Sequence, residues 1–241
     1  RRIDPELSAF DVVHDLGCSA GLHEAVCFAH DCQLPHLYTA NGISWAAPFD
    51  ARHNAVVVSE CAQKMAVRGG HCLEGTKVPW PLRDRPLQAR VVRYGVNLDF
   101  YKPAGEAQDY ILYTGRPHEH KGISLLPLVA QLCPDLSFIA AWRAEEPGHR
   151  DAEKQFLLQS RGVKNLKFVE LPAGASHHEV KRDLMAKSRV MLHPAVYVDA
   201  GPLAPIEAAA CGTPLVTFRR GGTPESMQEG VTGVLADLPP E

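Results

Sequence analysis

The chain has 241 residues, of which 45% are hydrophobic and 22% are charged, and its formal net charge is −3. This length and composition fit one large or two modest globular domains. The mild negative charge excludes a global basic field that would recruit nucleic acid. No apolar run reaches the length of a membrane span, and no signal peptide is visible. We therefore expect a cytoplasmic globular protein that does not bind nucleic acid.

Residues 60–102 carry a local excess of Lys and Arg over Asp and Glu. A solvated surface explains this excess most simply. Contact with phosphates or with a membrane surface stays open as the alternative, so peripheral association with a membrane is kept among the expectations.

The seven cysteines are an odd number and show no repeated pair spacing. This pattern favours reduced thiols in the cytosol over a disulfide framework. His23 and Cys27 lie four residues apart and would share one face of a helix, where zinc could bind. Because no C-x-x-C pair completes a tetrahedral set, we expect packing here and no metal site.

Apolar runs in the first part of the chain predict four strands and two helices. The strands are expected at 9–16, 35–41, 54–60 and 89–95, and the helices at 21–31 and 60–69. Residues 97–103 have the character of a linker, which predicts two domains, 1–103 and 104–241. Four strands are few for such a domain, and the chain stops soon after its last strand, so we expect truncation at both ends.

The second part of the chain alternates short apolar runs with helical segments. Strands are predicted at 111–115, 137–142, 165–170, 190–195, 214–218 and 233–237, and helices at 124–132, 150–161, 177–187, 203–211 and 224–229. Ser124 is expected to cap the first helix, and Ser176 with Glu179 to form a capping box on the third. The alternation predicts an α/β fold with a parallel, doubly wound sheet, which binds ligands outside the carboxyl ends of its strands.

The segment 199–214 places two carboxylates, Asp199 and Glu207, eight residues apart across a Gly-Pro turn. Pro205 suits the first helical position and Gly212 the residue after the helix. Glu207 is then expected in the first turn, where it could accept hydrogen bonds from ribose hydroxyls. The alternative is that Glu207 only complements the helix dipole.

A second candidate segment follows the first strand of this domain. Gly115 permits close approach of a ligand, Arg116 offers a planar fork for two oxygens, and Lys121 adds a compact positive charge. Together they are typical of a diphosphate clamp, with surface cations beside a tight turn as the alternative. The sequence matches neither a P-loop nor the Gly-x-Gly-x-x-Gly turn of NAD-binding domains. Residues 219–225 hold a glycine pair that suits either an anion site or a plain strand-to-helix connection.

The order of these segments resembles the retaining GT-B glycosyltransferases, the large group that includes phosphatidylinositol mannosyltransferase. The resemblance rests on Gly115-Arg116…Lys121-Gly122, then on the Asp199…Glu207 pair with Ala-Ala-Ala-Cys-Gly-Thr-Pro after it. It continues in the Gly-Gly-Thr-Pro-Glu run of 221–225, and in weaker matches such as the strand that contains His14. The resemblance implies two Rossmann-like domains, of which the N-terminal one is incomplete here.

The resemblance also implies a role for each matching residue. Arg116 and Lys121 would neutralise the diphosphate of a nucleotide-sugar donor, Glu207 would bind its ribose, and Asp199 would contact the transferred sugar. The backbone lining of the sugar pocket would come from Gly201, Pro202 and Leu203. His14 and Asn41 would lie on the acceptor side. The implied reaction is transfer of a hexose with retention of configuration, without metal or cofactor, to a glycan, a lipid or a small molecule.

Departures from the family pattern leave alternatives open. Asp199 replaces the usual Glu, Pro202 removes one N–H donor, and Asn41 stands where many members have a His that can move a proton. Competing interpretations are a GT-B epimerase of sugar nucleotides and a remnant that binds a nucleotide sugar without turnover.

Overall fold

The computed structural model describes residues 13–15, 36–40, 54–57, 59–61, 63 and 89–238 of the chain. The chain divides into two compact units, one formed by 1–94 with 198–201 and the other by 95–197 with 202–241. Each unit contains one parallel sheet.

The first unit contains a four-stranded sheet whose strands lie in chain order. Its strands are β1 (Val13–Asp15), β2 (His36–Ala40), β3 (Asn54–Val57) and β4 (Ala89–Val91). All neighbours are parallel, and His14 in β1 is aligned with Leu37 in β2. The four predicted strands are thus confirmed in shorter form. The helix predicted at 21–31 lies outside the described residues, as do Asn41 and the cysteines at 18, 27 and 32.

The second unit alternates strands with helices, as the apolar runs predicted. Its strands are β5 (Gln108–Thr114), β6 (Phe138–Trp142), β7 (Leu166–Glu170), β8 (Ser188–His193), β9 (Leu215–Phe218) and β10 (Gly233–Ala236). Its helices are α1 (Leu125–Leu132), α2 (Pro147–Gln159), α3 (Ser176–Lys187) and α4 (Leu203–Ala210). Two short 3₁₀ helices are also present, Glu119–Lys121 and Thr223–Ser226.

The six strands of this unit are all parallel and lie in the order β10-β9-β8-β5-β6-β7. From β5 the chain builds outward through β6 to β7, then returns to the other side of β5 and builds outward from β8 to β10. This order is that of a doubly wound sheet, and the predicted α/β class is confirmed.

Both faces of the six-stranded sheet are covered by a core. Leu112 of β5 packs with residues of α3 and α4, whereas its neighbour Tyr113 packs with residues of α1 and α2. Successive side chains of a strand point to opposite faces, so a strand buried on both faces has a continuous apolar sequence. On the second face, the ring of Trp142 packs edge-on against Phe156, with 4.7 Å between the ring centroids.

The predicted side-chain caps are wrong, although the four α-helices begin within three residues of their predicted starts. Ser124 occupies the position before α1, but its side chain makes no capping hydrogen bond. Ser176 is the first residue of α3 and its hydroxyl donates to the carbonyl of Ala173, so the predicted capping box does not form. The segment predicted as a helix at 224–229 is the short 3₁₀ helix Thr223–Ser226.

Candidate functional site

The candidate site lies where two neighbouring strands, β5 and β8, lead into loops at the same edge of the sheet. The direction in which the chain crosses the sheet reverses between them. In open α/β sheets such a reversal leaves a crevice outside the carboxyl ends of the two strands. The segment with Arg116 and Lys121 follows β5, and the segment that leads to Glu207 follows β8.

The loop after β5 is tied to the loop after β8. The N–H of Val196 donates to the carbonyl of His120 at 3.0 Å, and the rings of His120 and Tyr197 have centroids 5.0 Å apart. The Nζ of Lys121 lies 5.0 Å from the centroid of the Tyr197 ring, within the range of a cation–π contact. These contacts hold Lys121 beside the switch point.

Gly122 makes this close approach of the two loops feasible. Its φ of 75° lies in the left-handed region. A Cβ at this position would lie 1.9 Å from the carbonyl oxygen of Pro194. Only glycine satisfies both conditions without displacing backbone.

Gly115 and Arg116 directly follow β5, as predicted. Arg116 is exposed. A Cβ at Gly115 would lie 3.5 Å from the Tyr113 hydroxyl, which is an ordinary contact. The fold therefore does not require glycine at 115, in contrast to Gly122.

Three histidines that the sequence reasoning left without a role lie beside these cations. The rings of His118 and His120 have centroids 3.5 Å apart, and His149 lies 6.3 Å from His118. Burial lowers the pKa of both His118 and His120, and the nearby positive charges of Arg116 and Lys121 lower it further. The sequence did contain a signal for them, the Pro-His-Glu-His-Lys run. Two histidines that lie between Arg116 and Lys121 in the sequence are expected to have a lowered pKa, because neighbouring positive charges disfavour their protonation.

Asp199 and Gly201 belong to the compact unit that contains residues 1–94. Asp199 is buried, with 9% of its surface exposed. Its Oδ1 accepts a long hydrogen bond of 3.4 Å from the N–H of Gly201. The pKa of Tyr94 is raised by burial and, secondarily, by the negative charge of Asp199.

Glu207 is not in the first turn of its helix, which corrects the prediction. α4 begins at Leu203 with Pro202 as the preceding cap residue, so Pro205 is the third helical residue and Glu207 the fifth. Proline is tolerated at the third position because the N–H groups of the first turn have no partner within the helix. Leu203 is exposed and Pro202 is buried.

Glu207 instead points into a buried polar contact. The Tyr101 hydroxyl donates to its Oε1 at 2.8 Å. The Nζ of Lys181, on α3, donates to Oε1 at 3.1 Å and to Oε2 at 2.9 Å. The pKa of Tyr101 is raised by burial and by its hydrogen bond to Glu207. The sequence had no signal for this trio, because its members are far apart in the chain.

The segment after β9 is engaged in ion pairs. Arg219 binds both carboxylate oxygens of Glu229 at 2.9 Å and the carboxylate of Asp237 at 3.2 Å. The helix that follows has only four residues. These observations favour the plain strand-to-helix connection of the two alternatives considered for 219–225.

Among the described residues, no helix combines the length and the apolar sequence that a membrane span requires. In the same part of the chain, no three His, Cys, Asp or Glu side chains are grouped so that they could hold a metal ion.

The comparison with protein families finds a match that covers most of the second unit. The sequence model of the family described as glycosyl transferases group 1 matches residues 98–240.

Similar curated proteins share this region. The gpi3 subunit of phosphatidylinositol N-acetylglucosaminyltransferase from Schizosaccharomyces pombe is 29% identical over 139 residues, which are 54% of this chain and 28% of that protein. The D-inositol 3-phosphate glycosyltransferase of Mycobacterium sp. (strain JLS) is 27% identical over 163 residues, 63% of this chain and 36% of that protein. The alpha-maltose-1-phosphate synthase of Mycolicibacterium smegmatis is 23% identical over 84% of this chain and 58% of its own length. The chain thus spans between 28% and 58% of the length of these relatives.

Solved structures share the fold. Anabaena HepE in complex with UDP and glucose has a TM-score of 0.74 at 18% identity, over 96% of this chain and 65% of that one. Sucrose-phosphate synthase from Thermosynechococcus elongatus has a TM-score of 0.68 at 19% identity, over 95% of this chain and 61% of that one. This likeness concerns the fold alone, and it confirms the predicted GT-B class.

Proposed function

Because the chain belongs to the glycosyl transferases group 1 family, we propose that it transfers a sugar from a nucleoside diphosphate sugar to an acceptor hydroxyl. The observation that carries the proposal is the placement of the two candidate segments. Arg116 and Lys121 follow β5, and the helix of Glu207 follows β8, on the two sides of the switch point. Ligands of doubly wound sheets bind at this place.

In this proposal the cations after β5 bind the diphosphate. Arg116 is exposed and presents a planar fork that fits two phosphate oxygens, while Lys121 is held against Tyr197. During transfer the bond between the anomeric carbon and the terminal phosphate oxygen breaks, and negative charge grows on that phosphate. Fixed positive charges aimed at it stabilise the transition state without a metal or another cofactor.

The remaining predicted residues would bind the rest of the donor. Glu207 accepts a hydrogen bond from the ribose, Asp199 contacts the transferred hexose, and the sugar pocket is lined by backbone from Gly201, Pro202 and Leu203. The acceptor oxygen forms the new bond to the anomeric carbon, and its proton leaves with the departing diphosphate. Retention of configuration is proposed from the family resemblance.

UDP is the first donor nucleotide to test, because three solved relatives hold UDP, UDP with glucose, or UDP-glucose. The curated relatives are named for a phosphatidylinositol, a D-inositol 3-phosphate and the synthesis of alpha-maltose-1-phosphate. A phosphate ester of a polyhydroxylated compound is what these names share, and this class is the first to test as acceptor. We propose that residues 1–103, with His14 and Asn41, form the acceptor side and residues 104–241 the donor side, in a cytoplasmic protein.

The test is calorimetric titration of the 241-residue chain with UDP, GDP and their sugar conjugates, followed by analysis of the products. We expect one nucleotide sugar to bind and to yield free nucleoside diphosphate when acceptor is added. An isomerised nucleotide sugar would indicate an epimerase. Binding without turnover would indicate the non-catalytic alternative, and no binding of any donor would contradict the proposal.

A further inference from the structure

A buried ion pair connects the candidate ribose residue to a helix that has no part in the proposed mechanism. Lys181 of α3 and Glu207 of α4 approach to 2.9 Å, and their side chains are only 14% and 11% exposed. The Tyr101 hydroxyl completes the contact at 2.8 Å from Oε1. Lys181 also lies 5.9 Å from the centroid of the Tyr101 ring.

Stability does not explain why charges occur here. The neighbours of Glu207 on the buried side of α4 are Pro205 and Ala208, and the surrounding core cluster is apolar. Burying a charged pair costs desolvation that its mutual attraction often fails to recover, so apolar residues of similar volume would serve the fold as well. A charged pair at this position therefore points to a use for the charge of Glu207.

The hydrogen bonds of Glu207 indicate what that use is. A carboxylate offers about four acceptor positions on its two oxygens. Tyr101 and Lys181 occupy two positions on Oε1, and Lys181 occupies one on Oε2. One position on Oε2 remains for a further donor, and a single ribose hydroxyl is a donor of the required kind.

We propose that Lys181 is a positioning residue that, together with Tyr101, keeps the Glu207 carboxylate oriented to accept a hydrogen bond from one ribose hydroxyl through Oε2. This inference rests on the proposed function. An ammonium group in contact with both carboxylate oxygens restricts rotation of the Glu207 side chain. A carboxylate oxygen held in this way accepts a hydrogen bond, so a nucleotide that has the ribose hydroxyl should bind more tightly than one that lacks it.

The experiment measures how strongly the chain discriminates against a missing ribose hydroxyl. Dissociation constants of UDP and GDP are compared with those of their 2′-deoxy and 3′-deoxy forms by calorimetry. A hydrogen bond to a charged group corresponds to a discrimination of about 10- to 100-fold for one of the two hydroxyls. We expect this ratio in the wild type and a ratio of less than about threefold in Glu207→Gln and Lys181→Met.

Two control variants isolate the role of Lys181. Lys181→Arg keeps the charge and is expected to retain most of the discrimination. Lys187→Met removes the exposed lysine at the end of the same helix and is expected to retain all of it. A role in stability alone would weaken the binding of all nucleotides together and leave the ratio unchanged. Tyr101→Phe loses only the hydroxyl and is expected to lower part of the discrimination between ordinary and deoxy nucleotides. It takes the place of Lys181→Met if that variant does not fold.

The outcomes separate the two proposals. If the wild type binds neither UDP nor GDP, the proposed function fails and this inference fails with it. If the wild type discriminates but Lys181→Met, or Tyr101→Phe in its place, discriminates equally well, only the positioning role is overturned. Loss of discrimination in Lys181→Met but not in Lys187→Met supports it.

Discussion

Replacement of Gly122 by alanine should damage the connection between the two loops at the switch point. A non-glycine residue at φ 75° carries a conformational cost of about 1–2 kcal/mol. In addition, the new Cβ would lie 1.9 Å from the Pro194 oxygen, so that carbonyl must retreat to at least 3.0 Å. Overpacking of this kind costs about 1–3 kcal/mol, and loss of the Val196–His120 hydrogen bond about 1 kcal/mol more. The expected total is about 3–6 kcal/mol.

Gly105→Ala is the matched control for this prediction. Gly105 has a φ of 68°, but a Cβ there meets nothing within 4 Å. Only the conformational cost of about 1–2 kcal/mol applies. At about 2–4 °C per kcal/mol for a chain of this size, the melting temperature should fall by about 10 °C in Gly122→Ala and about 4 °C in Gly105→Ala.

Thermal unfolding followed by circular dichroism measures the two shifts. Hydrogen exchange of the β5 and β8 amides tests whether the damage is local. Gly122→Ala should also weaken UDP binding more than about tenfold where it remains folded, because Lys121 precedes it directly. Equal melting temperatures for the two variants would refute the claim that the loops depend on glycine at 122.

Three further predictions concern residues of the second unit. Asn165→Ala should cost about 2–3 kcal/mol in urea unfolding, because the Asn165 amide donates at 2.8–3.0 Å to the carbonyls of Ala130, Cys133 and Leu136. Arg116→Ala should lower the transfer rate, measured by donor turnover, by about 10²–10³-fold and leave the melting temperature unchanged. Arg116→Lys should retain only part of the wild-type rate, because lysine lacks the planar fork of the guanidinium group. The free energy of unfolding should fall as the pH drops below 6.5, because the pKa values of His118 and His120 are lowered from that value and the unfolded chain binds protons more readily. The double variant His118→Gln, His120→Gln should show a shallower pH dependence in urea unfolding at pH 5–7.

Each of these three has an outcome that contradicts it. A loss below about 0.5 kcal/mol for Asn165→Ala would mean that the three carbonyls find other donors. A full rate in Arg116→Ala would remove that residue from the diphosphate site. An unchanged pH dependence in the double histidine variant would show that other groups titrate there, with His177 as the next to examine because burial also lowers its pKa.

The strands of the second unit were predictable because their burial on both faces requires apolar runs. β6 and β8 were placed within two residues at either end from the sequence alone. Positions within the first turns were less predictable, because two prolines, Pro202 and Pro205, both suit the beginning of α4. Packing against the sheet decides between them, and that information is not local.

The candidate site was predictable where it depends on the order of segments along the chain. The cations after β5 and the carboxylate of α4 were identified in this way, and the sheet order places their strands side by side. The partners of Glu207 were not predictable, since Tyr101 lies 106 residues away along the chain. Such pairing arises only from the fold, as does the approach of His120 to Tyr197.

A crystal structure of the 241-residue chain with bound UDP would show whether the loop after β5 and the helix α4 bind one donor. We predict diphosphate oxygens within hydrogen-bonding distance of Arg116 and Lys121, and a ribose hydroxyl on Oε2 of Glu207. A nucleotide bound away from the carboxyl ends of β5 and β8, or one that leaves these three side chains without contact, would contradict it.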